Sequence, residues 1–485
     1  MTGLLTGLLA VGFVACGGDG HFQGPGTPAG GGGQGDSSGQ PIARVGDACD
    51  TQGAIGQADG GLSFCDGGTV RYALLDDLPP APAGGYTERP EWYPTLNSIF
   101  HQLPTETATV ECTPDSVVFT SPIIPNDALT TTIPHGAMIG DHVTPIDHMY
   151  IGLQTLAKDP ATLTDADYVP VTAPGDGTII EVSSLGSPTS HRVVIAHGCN
   201  LVSVYMVVNR VTGVLAQYAD EVEQKGYLRL NVPVTAGDEF GRQRDNPLDF
   251  NVFDGTQWRG GFVSPYSYVM GDAWKPYTSD PLPFFTPELR APLEASLQRL
   301  SEPRWGRIDH DVLGAASGNW FLDGTIGYSG ASSDAIANAT EMIPGGAVPG
   351  KNTYAYGHLS LSPHPVDVTH WMFSTGWWSD PNGDPRQTMI ELAGGQPSPD
   401  ALTAASGPVA YRLVDANRVF PEGSTPPPDG SRATEPVGYT LASGQPQGWA
   451  LVQVVDDATL HIELITDMNA PAPTAFTAAM RSYHR

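Results

Sequence analysis

The sequence predicts a mainly β protein: one β-barrel or sandwich, a single helix, then a second β-rich barrel or sandwich. Three observations carry this. Short runs rich in Val, Ile, Thr and Tyr recur between Gly, Pro, Asp and Asn, the pattern of strands joined by tight turns. Only "TPELRAPLEASLQRL" has convincing helical periodicity. At 485 residues the chain is long enough for two or three domains with their own cores.

Residues 1–16 read as a signal peptide. The apolar run "GLLTGLLAVGFVAC" is too short to span a bilayer comfortably and ends in small residues before Cys16. It resembles a bacterial lipoprotein signal, with Ala15 preceding the cysteine that takes the lipid, although no Lys or Arg precedes the run. Residues 17–42 are a Gly/Pro/Ser-rich tether. The expected location is therefore outside the cytoplasm, anchored to the outer membrane through Cys16.

With Cys16 lipidated, an even four cysteines remain: Cys49, Cys65, Cys112 and Cys199. In an exported protein they suggest two disulfides, with three connectivities available. Short-range closure favours Cys49–Cys65, which leaves Cys112–Cys199. No C-x-x-C spacing exists, so neither a redox motif nor a zinc ribbon is on offer. Residues 43–104 then form a small stapled module and a Pro- and aromatic-rich connector, "LPPAPAGGYTERPEWYP", lying across the next domain. Charge narrows the partners: 52 acidic against 23 basic residues give −29, which argues against nucleic acid and anionic headgroups.

Residues 105–302 form the first β domain. Its strands fall in "TVECTPDSVVFTSPI", "DYVPVTAPGDGTIIEVSS", "HRVVIAHG", "NLVSVYMVVNRV", "GYLRLNVPVTAGDEFGR" and "LDFNVFD". A helix over 286–301 closes it. Thr286 is its N-cap, Pro287 takes the first helical position, and Leu289, Leu293, Leu297 and Leu300 share one face. Residues 303–485 hold seven or so strands, enough for a small barrel or sandwich, and include the aromatic cluster "HWMFSTGWW".

The densest chemistry lies in "HGAMIGDHVTPIDHMYIGL", residues 135–153. His142, Asp147 and His148 are the ligand types a transition metal takes, and a usable site needs a further ligand from elsewhere. The alternative is that Asp147 and His148 only hydrogen-bond within a turn.

The succession "VPVTAPGDGTIIEV", "VVIAHGCNLVSVYMVV", "VPVTAGDEFGR", "LDFNVFD" resembles the β-barrel of the lysostaphin-type zinc endopeptidases, which cut peptidoglycan cross-links and also occur in non-catalytic forms. Pro174, Asp176, Gly177, His197, Gly198, Tyr205, Gly237 and Gly241 carry the match, over about a third of the chain. The resemblance implies a zinc held by two His and one Asp, with another His acting on the attacking water or the developing charge. It departs at those ligands. His142 is followed by Asp147 five residues later where the family has four. The strand that should carry His-x-His reads "PLDFNV", with Asp249 in a ligand position and no histidine. The strand ending "YMVVNR" offers Asn209 and Arg210 where another His is common.

Three readings follow, in order. The first is an envelope lipoprotein whose peptidase-like domain is non-catalytic and binds or scaffolds peptidoglycan or an envelope protein. The second is an active zinc metallopeptidase with a rearranged site of His142, Asp147, His148 and Asp249. The third places function in the C-terminal domain as a glycan or ligand binder. The residues favour a non-enzyme, and zinc is the one cofactor the resemblance implies.

Overall fold

The computed structural model of the protein describes residues 44–58, 61–82, 84–100, 117–198, 200–339, 355–376, 385–424 and 432–485. Cys16, the tether and the expected Cys112–Cys199 bridge lie outside the described residues.

The fold is mainly β, with few and short helices. Strands β1 (Ile55–Ala58), β2 (Gly61–Asp66) and β3 (Thr69–Tyr72) make a small antiparallel sheet. A disulfide joins Cys49 to Cys65 of β2, the short-range pairing expected. The connector then crosses the neighbouring sheet to helix α1 (Leu96–Ile99). Tyr93, only 1% exposed, anchors it. Its hydroxyl donates to Ala273 O at 3.0 Å and its ring meets Trp258 edge-on at 5.0 Å.

Ten strands follow: β4 (Leu129–Ile133), β5 (Met149–Leu153), β6 (Val169–Thr172), β7 (Gly177–Ser187), β8 (Ser190–Gly198), β9 (Leu201–Val208), β10 (Arg210–Val211), β11 (Tyr227–Val234), β12 (Glu239–Gln243) and β13 (Leu248–Asp254). Seven form an antiparallel sheet in the order β11-β7-β8-β9-β13-β5-β4, and three form a second sheet, β10-β12-β6. Helix α2 (Ala219–Lys225) precedes β11. One face of the large sheet presents Val193, Ile195, Tyr205 and Phe250 to a core shared with Val171 and Phe240 of the small sheet. The opposite face presents Val194, Ala196, Val204 and Phe253 to Leu62, Tyr93, Tyr266 and Tyr277 of the N-terminal module and a later loop. With both faces covered, "VVIA" on β8 is an unbroken apolar run instead of an alternating one.

Three expectations are corrected. The stretch from 117 to 123 is not a strand; one parallel bridge, Phe119 to Phe285, and backbone hydrogen bonds from Thr120 and Ser121 to Pro174 O hold it, with Phe119 and Ile123 buried in the core. The closing helix, α4 (Pro287–Ser296), stops five residues short of 301, after the short helix α3 (Tyr266–Val269). Leu297 turns extended, Gln298 N donates to Thr132 O at 2.9 Å, and Leu300 is 61% exposed. Backbone pairing to β4 outcompetes another helical turn there. Thr286 makes no side-chain cap hydrogen bond.

The C-terminal unit is a closed barrel of eight strands in chain order: β14 (Gly318–Leu322), β15 (His358–Pro363), β16 (Trp371–Thr375), β17 (Arg386–Glu391), β18 (Val409–Val419), β19 (Thr440–Val454), β20 (Thr459–Ile465) and β21 (Arg481–His484). Strand β17, "RQTMIE", carries too little apolar character to be read from sequence. Helix α5 (Ser333–Ala337) sits in the β14–β15 connection. Trp320, Phe373, Tyr411 and Tyr483 fill the interior, so the described part of the aromatic cluster is partly core; Trp377 and Trp378 lie outside the described residues.

The barrel packs on the first β unit. Met138 is buried among Met372, Met389, Tyr439 and Leu441. The hydroxyls of Thr130 and Thr131 both donate to Ala433 O at 3.0 Å, and Gln387 Nε2 donates to Gly140 O at 2.9 Å.

Candidate functional site

The residues singled out in sequence meet at one place. Met149 pairs with Phe250 and Tyr150 with Asp249, so His148, just before β5, falls beside β13. Asp249, Asn251 and Phe253 alternate onto the same face of β13. Ile139 and His142 exchange backbone hydrogen bonds of 3.1 Å in a tight loop. That loop carries the His142 ring to 5.4 Å from the His148 ring, nearly perpendicular to it. Pro145 lies between them in the chain.

His148 stands between two carboxylates. Its Nδ1 is 3.3 Å from Asp147 Oδ1 and its Nε2 is 3.5 Å from Asp249 Oδ2. Asp147 also accepts from Trp274 Nε1 at 3.0 Å. Asp147, His148 and Asp249 are 7%, 3% and 2% exposed, while His142 is half-buried.

The charges follow from this. Burial works against a protonated His148, but Asp249 and Asp147 outweigh it and hold the imidazole above its ordinary value. Burial would raise Asp147; the His148 hydrogen bond and the Lys275 charge overcome it and leave the carboxyl below the usual range. Asp249 is pushed up to about 7 by burial, opposed by His148 and assisted by Asp147. His142 is pushed down to about 3 by burial, with His148 adding to the effect.

The residues surrounding the cluster are only partly marked in the sequence. His135 is fully buried, with Nδ1 3.1 Å from Trp305 O and Nε2 3.2 Å from Asn251 Oδ1. Asn251 had a legible signal, since it lies two residues beyond Asp249 on an alternating strand. Lys275 is 1% exposed; its Nζ donates to Tyr328 Oη at 2.6 Å and lies 3.8 Å from Asp272. Tyr328 belongs to the C-terminal unit, and its hydroxyl also pairs with Thr144 Oγ1 at 3.0 Å. Nothing in the local sequence announces either residue, because the contact is made across the two units. Together with the Gln387–Gly140 bond, they place barrel residues over the loop that carries His142.

Zinc is the group the resemblance implies. The donor types fit it; their arrangement does not. Among the described residues no three His, Cys, Asp or Glu side chains are placed to hold an ion, and His148 turns one ring nitrogen to each carboxylate. Both carboxylates favour the protonated form of the imidazole between them. The fit leaves loose ends, since His148 Nε2, Asp249 Oδ1 and Asn251 Nδ2 are buried without a hydrogen-bond partner among the described residues.

No family model matches the chain, and no curated protein matches it. Several solved structures align with parts of it, two of them as follows. One is the SpoIIQ-SpoIIIAH pore forming complex, at TM-score 0.22 and 10% identity over 35% of this chain and 91% of that chain. The other is the NMR solution structure of lysostaphin, at TM-score 0.22 and 10% identity over 57% of this chain and 95% of that chain. The chain is weakly similar to both, and at that TM-score neither likeness supports an inference about its chemistry.

Proposed function

We propose that this chain is an exported envelope lipoprotein, anchored through Cys16, whose first β unit binds or scaffolds at the cell wall and does not hydrolyse peptidoglycan. The observation that carries this is His148 between Asp147 and Asp249. An ion would need those carboxylates, and a buried imidazole already balances them. The barrel residues over the His142 loop support the same reading, because a polymer substrate needs an open groove. No histidine stands on β13 to act as acid or base, since Pro247 and Asp249 take the places of the His-x-His pair.

The test is metal analysis of the purified full chain, then digestion of muropeptides with and without added zinc. The expected outcome is substoichiometric metal and no cleavage. Stoichiometric zinc with cleavage abolished by His142→Ala would overturn the reading in favour of a metallohydrolase. Anchoring has its own test. Cells fed a fatty-acid probe should label the wild type and not Cys16→Ser, and equal labelling would reject the anchor.

A further inference from the structure

We infer that one mouth of the C-terminal barrel is a binding cup for a small zwitterion with an apolar group, such as an apolar amino acid or a dipeptide. The inference concerns the barrel alone and is independent of the reading of the buried cluster. A cavity of about 360 Å³ opens there, lined by Phe373, Leu413 and Leu464 together with Arg386, Thr388 and Asp415. It lies within the ~300–1,000 Å³ typical of small-molecule sites, and barrel mouths are among the places where such sites occur.

The alternation of the strands gives the cup its two chemistries. Phe373 and Leu413 belong to the barrel core and Leu464 packs against it, which makes an apolar floor. Thr388 pairs with Phe373, and Arg386 with Thr375 one step further out, so both follow the inward-facing set toward the rim. Met389 pairs with Val414. Asp415 follows at the β18 irregularity between Val414 and Ala416 and lines the same cavity as Thr388 and Arg386, within reach of one small ligand. Arg386 and Asp415 form no ion pair among the described residues. A guanidinium and a carboxylate side by side above an apolar floor match a ligand's carboxylate, its ammonium and the hydrocarbon side chain beside them. An uncharged sugar could hydrogen-bond to both groups but would neutralise neither.

The probes are leucine, phenylalanine and alanyl-leucine, titrated calorimetrically into the full chain, with N-acetyl-leucinamide as the uncharged control. At least one zwitterion should bind, and the control should bind ~10-fold more weakly or not at all. Arg386→Ala and Asp415→Ala should each weaken binding ~10-fold or more. Thr388→Trp should fill the cup and abolish binding with the thermal midpoint retained. No binding of any zwitterion overturns the inference, as does equal binding of the control or undiminished binding by a folded Thr388→Trp.

Discussion

Replacing His148 with leucine should destabilise the chain by about 3–5 kcal/mol at neutral pH, the range for removing one partner from a buried charge pair. The side chain is 3% exposed and touches two carboxylates. Leucine would fill much of its volume and leave Asp147 and Asp249 without the positive charge between them. The cost should grow with pH. Without His148, Asp249 is held still further above its unfolded value and keeps a proton that the unfolded chain releases. Stability then falls by about 1.4 kcal/mol per pH unit across that window. Adding Asp249→Asn, which mimics the protonated acid, should recover part of the loss and flatten the slope. Urea titrations of the three variants at pH 6 and 8 decide it. A His148→Leu chain within 1 kcal/mol of wild type at pH 8 would sink the idea that this imidazole neutralises the site.

The wild type carries a milder form of the same dependence. Asp249, raised to about 7, contributes stability that is fully present below its unfolded value and lost as pH rises through 7. His148 is raised as well, so its contribution is present below the ordinary imidazole value of 6.5 and lost as pH rises past its folded value. Other imidazoles, His142 among them, work the opposite way. Burial lowers His135 to about 4 and His358 to about 3, so their contribution is present above 6.5 and lost as pH falls toward those values. Between pH 4 and 6.5 the effects oppose each other. Above 6.5 only the decline remains.

What the sequence could and could not convey divides along one physical line. Strands on the first β unit were readable because turn residues bracket β-branched runs, and Asp249 was readable because it alternates on β13. The short-range Cys49–Cys65 closure was readable for the same local reason. Strand β17 was not, since "RQTMIE" keeps only Met389 and Ile390 as strongly apolar positions. The last turn of the helix is misleading in the sequence because Leu297 and Leu300 keep the helical spacing while the backbone pairs with Thr132 instead. The site's surroundings were the least legible part. Lys275 and Tyr328 are 53 positions apart, and only the packing of one unit on the other gives either a role. The ligand types in "HVTPIDHMY" showed where chemistry had gathered, but not that His148 would turn its ring between two carboxylates.

Gly136 offers the sharpest test of how the two units meet, and Gly136→Ala should cost about 3–5 kcal/mol, near the top of the range for single substitutions. Two segments cross there with their backbones in contact. His135 N donates to Trp305 O at 3.0 Å, and His135 bridges to Gly306 in parallel. Gly136 has φ +92°, and a Cβ on it would lie 2.2 Å from Arg307 O; Gly306 has φ +99° and would meet His135 O at the same distance. Those neighbours are backbone atoms that no side-chain rotation can move aside. The displacement would reach the site, because Gly136 N donates to Ile146 O at 2.8 Å, one residue before Asp147. Gly226 separates the steric contribution from the dihedral one. It has φ +75° at the end of α2 and nothing within 4 Å of its would-be Cβ, so Gly226→Ala should cost only about 1 kcal/mol. Denaturant midpoints of the two variants, read by intrinsic tryptophan fluorescence against the parent, give the comparison. Equal losses at the two positions would mean that the segments do not cross this closely and that the barrel is not held over the His142 loop by this contact. A loss at Gly136 larger by about 2 kcal/mol or more would tie the His148 cluster to the chain crossing that joins the first β unit to the barrel.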